Sequence, residues 1–261
     1  MAAPEAREAP EIIVHATAYD LADAVAVRLS EVLAAAQAQG RVPSVALTGG
    51  TIADKVHRAL VEASSGRVDW SQVHVWWGDE RYVPASSEDR NATQARKALL
   101  DHVDVSPDRV HEMPASDGGY ASLTAAAEAY GEELRRDSIG RFDVVMLGVG
   151  PDGHVASLFP RFPQLDVEDT IAVPVTGSPK PPPDRITLTF GALNRSSEVW
   201  FVASGEEKAE AVARATATGE EAADPHDVPA AGVRGEERTV WFLDERSASR
   251  LASVPPRTPS P

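Results

Sequence analysis

The sequence of 261 residues contains no cysteine. Disulfides, thiolate nucleophiles and cysteine-held metals are thereby excluded. No apolar run is long enough to cross a bilayer as a helix. Positive charge is scarce, with 25 Lys+Arg against 40 Asp+Glu and a formal net charge of −15. Such a field repels nucleic acid and anionic membranes, so neither is expected as a partner. A small phosphorylated molecule is not excluded, because a few cations in one cleft suffice. The opening residues MAAPEAREAPE lack the basic and apolar regions of a signal peptide. A cytoplasmic protein fits these absences. The motifs HExxH and GxSxG are missing, and no histidine or carboxylate spacing suggests a metal site. No metal and no cofactor are expected.

What is present is a regular alternation. Apolar residues make up 43% of the chain, enough for a substantial core. Strand-like runs at 11–16, 44–48, 73–77, 142–148, 170–176, 185–190, 198–204 and 239–245 are separated by helical stretches. The helix from Tyr19 stops at Gly40, and others cover 51–64, 91–103 and 121–136. This pattern predicts an α/β fold with a mostly parallel sheet and helices on both faces. One domain is expected over residues 11–252, between a flexible N-terminus (1–10) and a Pro-rich tail (253–261). Ligands in such folds sit beyond the carboxyl ends of the strands, so the residues immediately after each strand are the ones of interest.

Five segments qualify. Thr48-Gly49-Gly50-Thr51 joins a strand to a helix and suits either a bound phosphate or a plain tight turn with Thr51 as N-cap. Asp79-Glu80-Arg81 ends an apolar strand; Arg81 is a candidate for holding a carboxylate or oxyanion, against a solvated loop with a local ion pair. Gly148-Val149-Gly150-Pro151-Asp152-Gly153-His154 formally matches GxGxxG. Pro160 and Pro163 leave no room for the full helix that a dinucleotide fingerprint must open, so that reading is rejected. What remains is a glycine-rich loop presenting His154, a residue type that titrates near working pH, with Asp152 placed to orient it. A hydrogen-bonded structural histidine is the alternative. Ser178 to Arg185, with three consecutive prolines, holds Lys180 and Arg185 close together as a candidate phosphate pair or as a stiff connector. Ser204-Gly205-Glu206-Glu207-Lys208 reads as a capping box, with Lys208 a further candidate phosphate ligand near a helix start. The tryptophans of VHVWW, with Trp200 and Trp241, are expected in the core, and the six other histidines receive no role.

In this order the segments TGGT, WWGDERYVP, DRNATQARKALL, GVGPDGHVASLFP, SPKPPPDRITLTF and SGEEKAEAV resemble the 6-phosphogluconolactonase family, over Ile12 to Leu243. One departure is Thr-Ile-Ala-Asp after Gly49-Gly50, which leaves a side-chain role for Thr51 less secure than the backbone contacts. The resemblance implies a modified Rossmann-like fold related to glucosamine-6-phosphate deaminases and ribose-5-phosphate isomerase. It implies metal-free hydrolysis of a phosphorylated sugar lactone in the pentose phosphate pathway. His154 is then the base that activates water, with Asp152 and Arg81 as the other catalytic residues. Gly49, Gly50, Thr51, Asp79, Gly150, Gly153, Lys180, Arg185 and Lys208 become the substrate and phosphate contacts. A monomer or weak homo-oligomer is expected. Two rivals stand beside this reading: a deaminase of the same fold, and a non-enzymatic sugar-phosphate sensor. Ser157-Leu158-Phe159 stands where a deaminase carries an Asn-Glu-Pro-type segment; a sensor is not expected, because the stretch before Ile12 is too short for a DNA-binding module and a net charge of −15 has the wrong sign.

Overall fold

The computed structural model describes residues 9–137 and 140–252. Most of the 1–10 segment and the whole 253–261 tail lie outside the described residues. Six strands form one sheet: β1 (Glu11–His15), β2 (Ser44–Leu47), β3 (His74–Trp77), β5 (Phe142–Leu147), β8 (Ser196–Ala203) and β9 (Arg238–Asp244). Their order is β1-β9-β8-β5-β2-β3, and every neighbouring pair is parallel.

The mostly parallel α/β fold is therefore present, with one addition. β4 (Asp79–Arg81), β6 (Ala172–Val175) and β7 (Arg185–Leu188) leave the main sheet and form a small antiparallel one, in the order β4-β7-β6. Only residues 176–184 join β6 to β7. A parallel crossover needs a dozen or more residues, so this pair can only double back.

Parallel strands buried on both faces read as continuous apolar runs, with successive side chains entering opposite faces. Trp76, Val145, Leu147, Phe201 and Trp241 enter one apolar cluster. Their chain neighbours Trp77, Val144, Met146, Trp200 and Phe242 enter the other. The four strand tryptophans are core residues, as expected. Phe201 and Trp241 are direct partners on adjacent strands, with rings stacked at 4.0 Å. Such a pair contributes about 1 kcal/mol beyond its area burial.

Helices α1 (Ala18–Ala38), α2 (Thr51–Ala63) and α3 (Asn91–Ala98) cover the second face. The first face is covered by α4 (Leu123–Arg136), α6 (Ala209–Thr216) and the small sheet, with the single turn α5 (Phe190–Leu193) beside it. Thr17 starts α1 by accepting the Asp20 N–H at 3.2 Å, and Gly40 stops it at φ +73°. Because the main strands are parallel, the residues following β2, β3, β5, β8 and β9 emerge at one edge.

Candidate active site

β5 delivers the loop that ends in His154. The Gly150 N–H donates to the His154 carbonyl and the Gly153 N–H to the Gly150 carbonyl, both at 2.9 Å. Val155 then pairs with Leu158 across a tight turn, with Ala156 at φ 50°. No helix opens here, which agrees with rejecting the dinucleotide fingerprint. A Cβ on Gly150 would lie 2.0 Å from His154 Nδ1 and 2.4 Å from Asp152 Oδ1. The imidazole and carboxylate therefore rest directly on this residue, and only glycine leaves them room. Gly150 and Gly153 were expected among the substrate contacts. Their N–H groups are already spent inside the loop, so they shape it instead.

His154 Nδ1 lies 2.6 Å from Asp152 Oδ1, and its ring packs on Phe159 at 4.7 Å between centroids. Burial would raise the Asp152 pKa, but the His154 hydrogen bond, the His154 charge and the Lys180 charge together bring it down to about 2. Asp152 is then an acceptor at any physiological pH. A neutral imidazole must carry its proton on Nδ1 and present Nε2 as a lone pair, a tautomer assigned from the hydrogen-bond network.

Two lysines converge on this pair. Lys180 stands in the β6–β7 loop, which contains a cis Pro181–Pro182 bond. Burial lowers the Lys180 pKa; Asp152 opposes that, and Lys208 and Arg185 add to it, so all three charges are close by. Burial likewise lowers Lys208, against Glu207 and Asp152. Arg185 has other work. Its Nε donates to the Pro182 carbonyl at 3.2 Å, and its Nη2 donates to the carbonyls of Lys180 and Pro181 at 3.1 and 3.2 Å. It is buried and clamps the loop that presents Lys180.

The expected capping box does not form. The Ser204 hydroxyl donates instead to Asp244 Oδ2 at 2.6 Å, and the Gly205 N–H donates to the same carboxylate. Glu207 folds over Gly205, where a Cβ would meet its carboxylate at 2.5 Å. A short 3-10 turn, Glu206–Lys208, precedes α6. Asp244 won the contest for Ser204 because β9 places it beside the end of β8.

Gly49, Gly50, Thr51 and Lys208 line a cavity of about 500 Å³, together with Lys55 and Arg246. Gly50 at φ +104° is the N-cap of α2 and Thr51 is its first helical residue, so the cap lies one residue earlier than the Thr51 expected from sequence. Glycine has no side chain to cap with, so the first N–H groups of α2 are left for an anion. Asn91 fills the space beside Gly49, where a Cβ would lie 1.8 Å from its Oδ1.

The Asp79-Glu80-Arg81 segment proves to be mainly scaffold. Asp79 is buried; it accepts the Ser157 hydroxyl at 2.6 Å and Asn91 Nδ2 at 3.3 Å, and Arg185 Nη1 lies 3.9 Å away. It was expected to touch substrate; in this structure its carboxylate oxygens are bonded to Ser157 and Asn91. Glu80 accepts the N–H groups of Arg81, Asn91 and Ala92 at 2.7–2.9 Å and so caps α3. Burial raises its pKa to about 6, against the Arg90 charge and those three amides. Arg81 donates to the Asp89 carbonyl and sits opposite Arg185 in the small sheet. Sequence reasoning missed Asn91, Ser157, Lys55 and Arg246. Ser157 stands inside a family-like string, but nothing local to it signals its bond to Asp79.

At the other end of β3, His74 Nδ1 and His111 Nε2 approach to 2.8 Å, and His111 Nδ1 lies 2.8 Å from Glu133 Oε1. His74, His111 and Asp137 have donor atoms close enough to suggest a metal, contrary to the sequence expectation of none. Two imidazoles on one zinc hold their nitrogens about 3.3 Å apart, so the spacing here is that of a hydrogen bond. A second cleft of about 500 Å³ lies near the start of β5, lined by residues that include Arg135, Arg141, Glu168 and Asp169. It contains no histidine, and Arg141 is already paired with Glu236 and Glu237.

Fold and site together define an α/β protein with a histidine–carboxylate pair beside a cation-lined cavity at the carboxyl edge of its sheet. Residues 16–241 match the family model described as glucosamine-6-phosphate isomerases/6-phosphogluconolactonase. The chain belongs to that family. It is 46% identical to a 6-phosphogluconolactonase of Streptomyces coelicolor, over 94% of this chain and 95% of that protein. A 6-phosphogluconolactonase of Mycobacterium tuberculosis is also 46% identical, over 87% and 92%. The solved 6-phosphogluconolactonase of Thermotoga maritima superposes with a TM-score of 0.78 at 30% identity, covering 90% of this chain and 99% of that one. A monomeric glucosamine-6-phosphate deaminase, at 20% identity and TM-score 0.76, shares the fold. No described helix is long and apolar enough to cross a membrane.

Proposed function

We propose that this chain hydrolyses 6-phosphoglucono-1,5-lactone to 6-phosphogluconate, as the names of its relatives indicate for them, and that His154 is the general base. One observation carries the role of His154. Asp152 holds Nδ1 at 2.6 Å, so the unprotonated Nε2 is available on the same edge as the cation-lined cavity. Nε2 takes a proton from water as its oxygen attacks the lactone carbonyl. The tetrahedral oxyanion then expels the ring oxygen, and His154 returns the proton to it. The carboxylic acid so formed releases its remaining proton to solvent to give the carboxylate, with no covalent enzyme intermediate.

Arg81 is the group assigned to the developing oxyanion, since the Gly150 and Gly153 amides are committed elsewhere. The phosphate lies against the uncapped start of α2, with Lys208 and Lys180 as its cations. Arg185 contributes by fixing Lys180. A cytoplasmic location and a monomer or weak homo-oligomer belong to the same reading; gel filtration checks the second. The direct test compares two reactions on purified protein: 6-phosphogluconolactone hydrolysis and ammonia release from glucosamine 6-phosphate. Hydrolysis alone supports the reading; ammonia release without hydrolysis replaces it with a deaminase.

A further inference from the structure

The chain has only four lysines against 21 arginines. Lys97 is paired with Glu88 on the surface. The other three, Lys55, Lys180 and Lys208, are all at the candidate site, and among the described residues none forms an ion pair with a carboxylate. Lys180 and Lys208 were legible in the sequence. Lys55 was not, because it stands on the second turn of α2, well past the glycine turn that draws the eye.

Lys55 lines the same cavity as Gly49, Gly50 and Lys208, and its ammonium lies 4.1 Å from the centre of the Tyr19 ring. That ring fixes the side chain without neutralising it. Across the cavity, Arg246 follows β9, is exposed and is likewise without an ion pair among the described residues. Arg41, Arg58, Arg141, Arg161 and Arg250 have carboxylate partners, whereas the exposed Arg67 and Arg234 have no ion pair among the described residues, so it is the place of Arg246 on the cavity that marks it.

A protein of net charge −15 repels a phosphorylated substrate at long range. Lys55, Lys208 and Arg246 line the cavity against the single carboxylate of Glu207, an excess of positive charge that reverses the repulsion locally, over about one Debye length of 8–10 Å. We propose that Lys55 and Arg246 are phosphate-binding residues of this site and set its preference for phosphorylated over unphosphorylated lactones. This rests on the phosphate placement proposed above and adds two ligands to it.

The test uses the full chain and three variants: Lys55→Gln, Arg246→Gln and, as a charge-matched control, Arg67→Gln just beyond the far end of α2. Calorimetry at low salt measures the Kd for 6-phosphogluconate and for gluconate. Steady-state kinetics measure the ratio of kcat/KM for 6-phosphogluconolactone to that for gluconolactone. The Lys55 and Arg246 variants are each expected to weaken 6-phosphogluconate binding about fivefold or more and to lower the ratio comparably. The salt dependence of kcat/KM for the phosphorylated lactone should also flatten. Arg67→Gln should change none of these by more than twofold. A Kd and a ratio that stay within twofold in both rim variants, or that move equally in the control, overturn the proposal. Calorimetry does not depend on turnover, so failure of the rim is distinguishable from failure of the proposed base.

Discussion

Two histidine–carboxylate groups stand at opposite ends of the sheet and do different things. At the amino end, His111 is bonded on both ring nitrogens, to His74 and to Glu133, and its ring stacks on Trp76 at 3.8 Å. At the carboxyl end, His154 has one nitrogen held by Asp152, and nothing described binds the other. The distances to the carboxylates are nearly equal, 2.8 and 2.6 Å. The pair alone therefore does not make a site. What differs is the free lone pair, the nearby lysines without ion pairs, and a loop whose glycines are forced by contact with the ring.

The contrast breaks most sharply at His154. His154→Ala is expected to lower kcat about a thousandfold, with the denaturation midpoint nearly unchanged. Near-normal turnover of 6-phosphogluconolactone in that variant would remove His154 as the base. Gly150→Ala asks whether loop shape alone matters. Its new methyl occupies the place of His154 Nδ1, so a displaced ring and a kcat about a hundredfold lower are expected, again with a folded protein by circular dichroism.

His111→Ala should show the reverse pattern. It strands Glu133 and removes a stacked ring, costing about 2–3 kcal/mol in urea unfolding, while kcat stays within twofold. Equal kcat losses in the His111 and His154 variants would erase the distinction between the two ends.

The smallest effect extends the contrast to a third histidine. His57 on α2 is fully buried, and desolvation lowers its pKa to about 4, with Asp54 opposing. Its folded pKa lies below the unfolded value of about 6.5. Its neutral form therefore contributes fully above pH 6.5, and that contribution is lost as pH falls toward 4. Between pH 6.5 and 5 the loss is about 2 kcal/mol by linkage. Urea titrations at those two pH values should show this slope in the wild type, and His57→Leu should show less of it. An unchanged slope in the variant assigns the acid sensitivity to another group.

Much of this molecule was legible in advance. The strand runs were long, apolar and bounded by glycine, so the main sheet and its buried tryptophans followed from periodicity. The His154 loop could be separated from a dinucleotide fingerprint because Pro160 and Pro163 act locally. Asp152 and His154 are two residues apart, so their pairing was also within reach. The failures have one cause. The partners of Asp79, which are Ser157, Asn91 and Arg185, were not legible, and Ser204, expected to cap a helix, donates to Asp244 instead. In each case the winning partner is distant in sequence, and a hydroxyl or carboxylate bonds to whatever the fold brings within about 3 Å.

The sequence by itself determined the alternation of strands and helices, the family, and the loop that carries His154. These depend on period, on glycine and proline, and on short-range spacing. Only the tertiary structure decided that β6 and β7 leave the main sheet, that Arg185 is a clamp, and that Lys55 and Arg246 face the same cavity as Lys208. Those assignments depend on which ends of parallel strands meet and which charges are left without partners. Neither property belongs to any single segment of the chain.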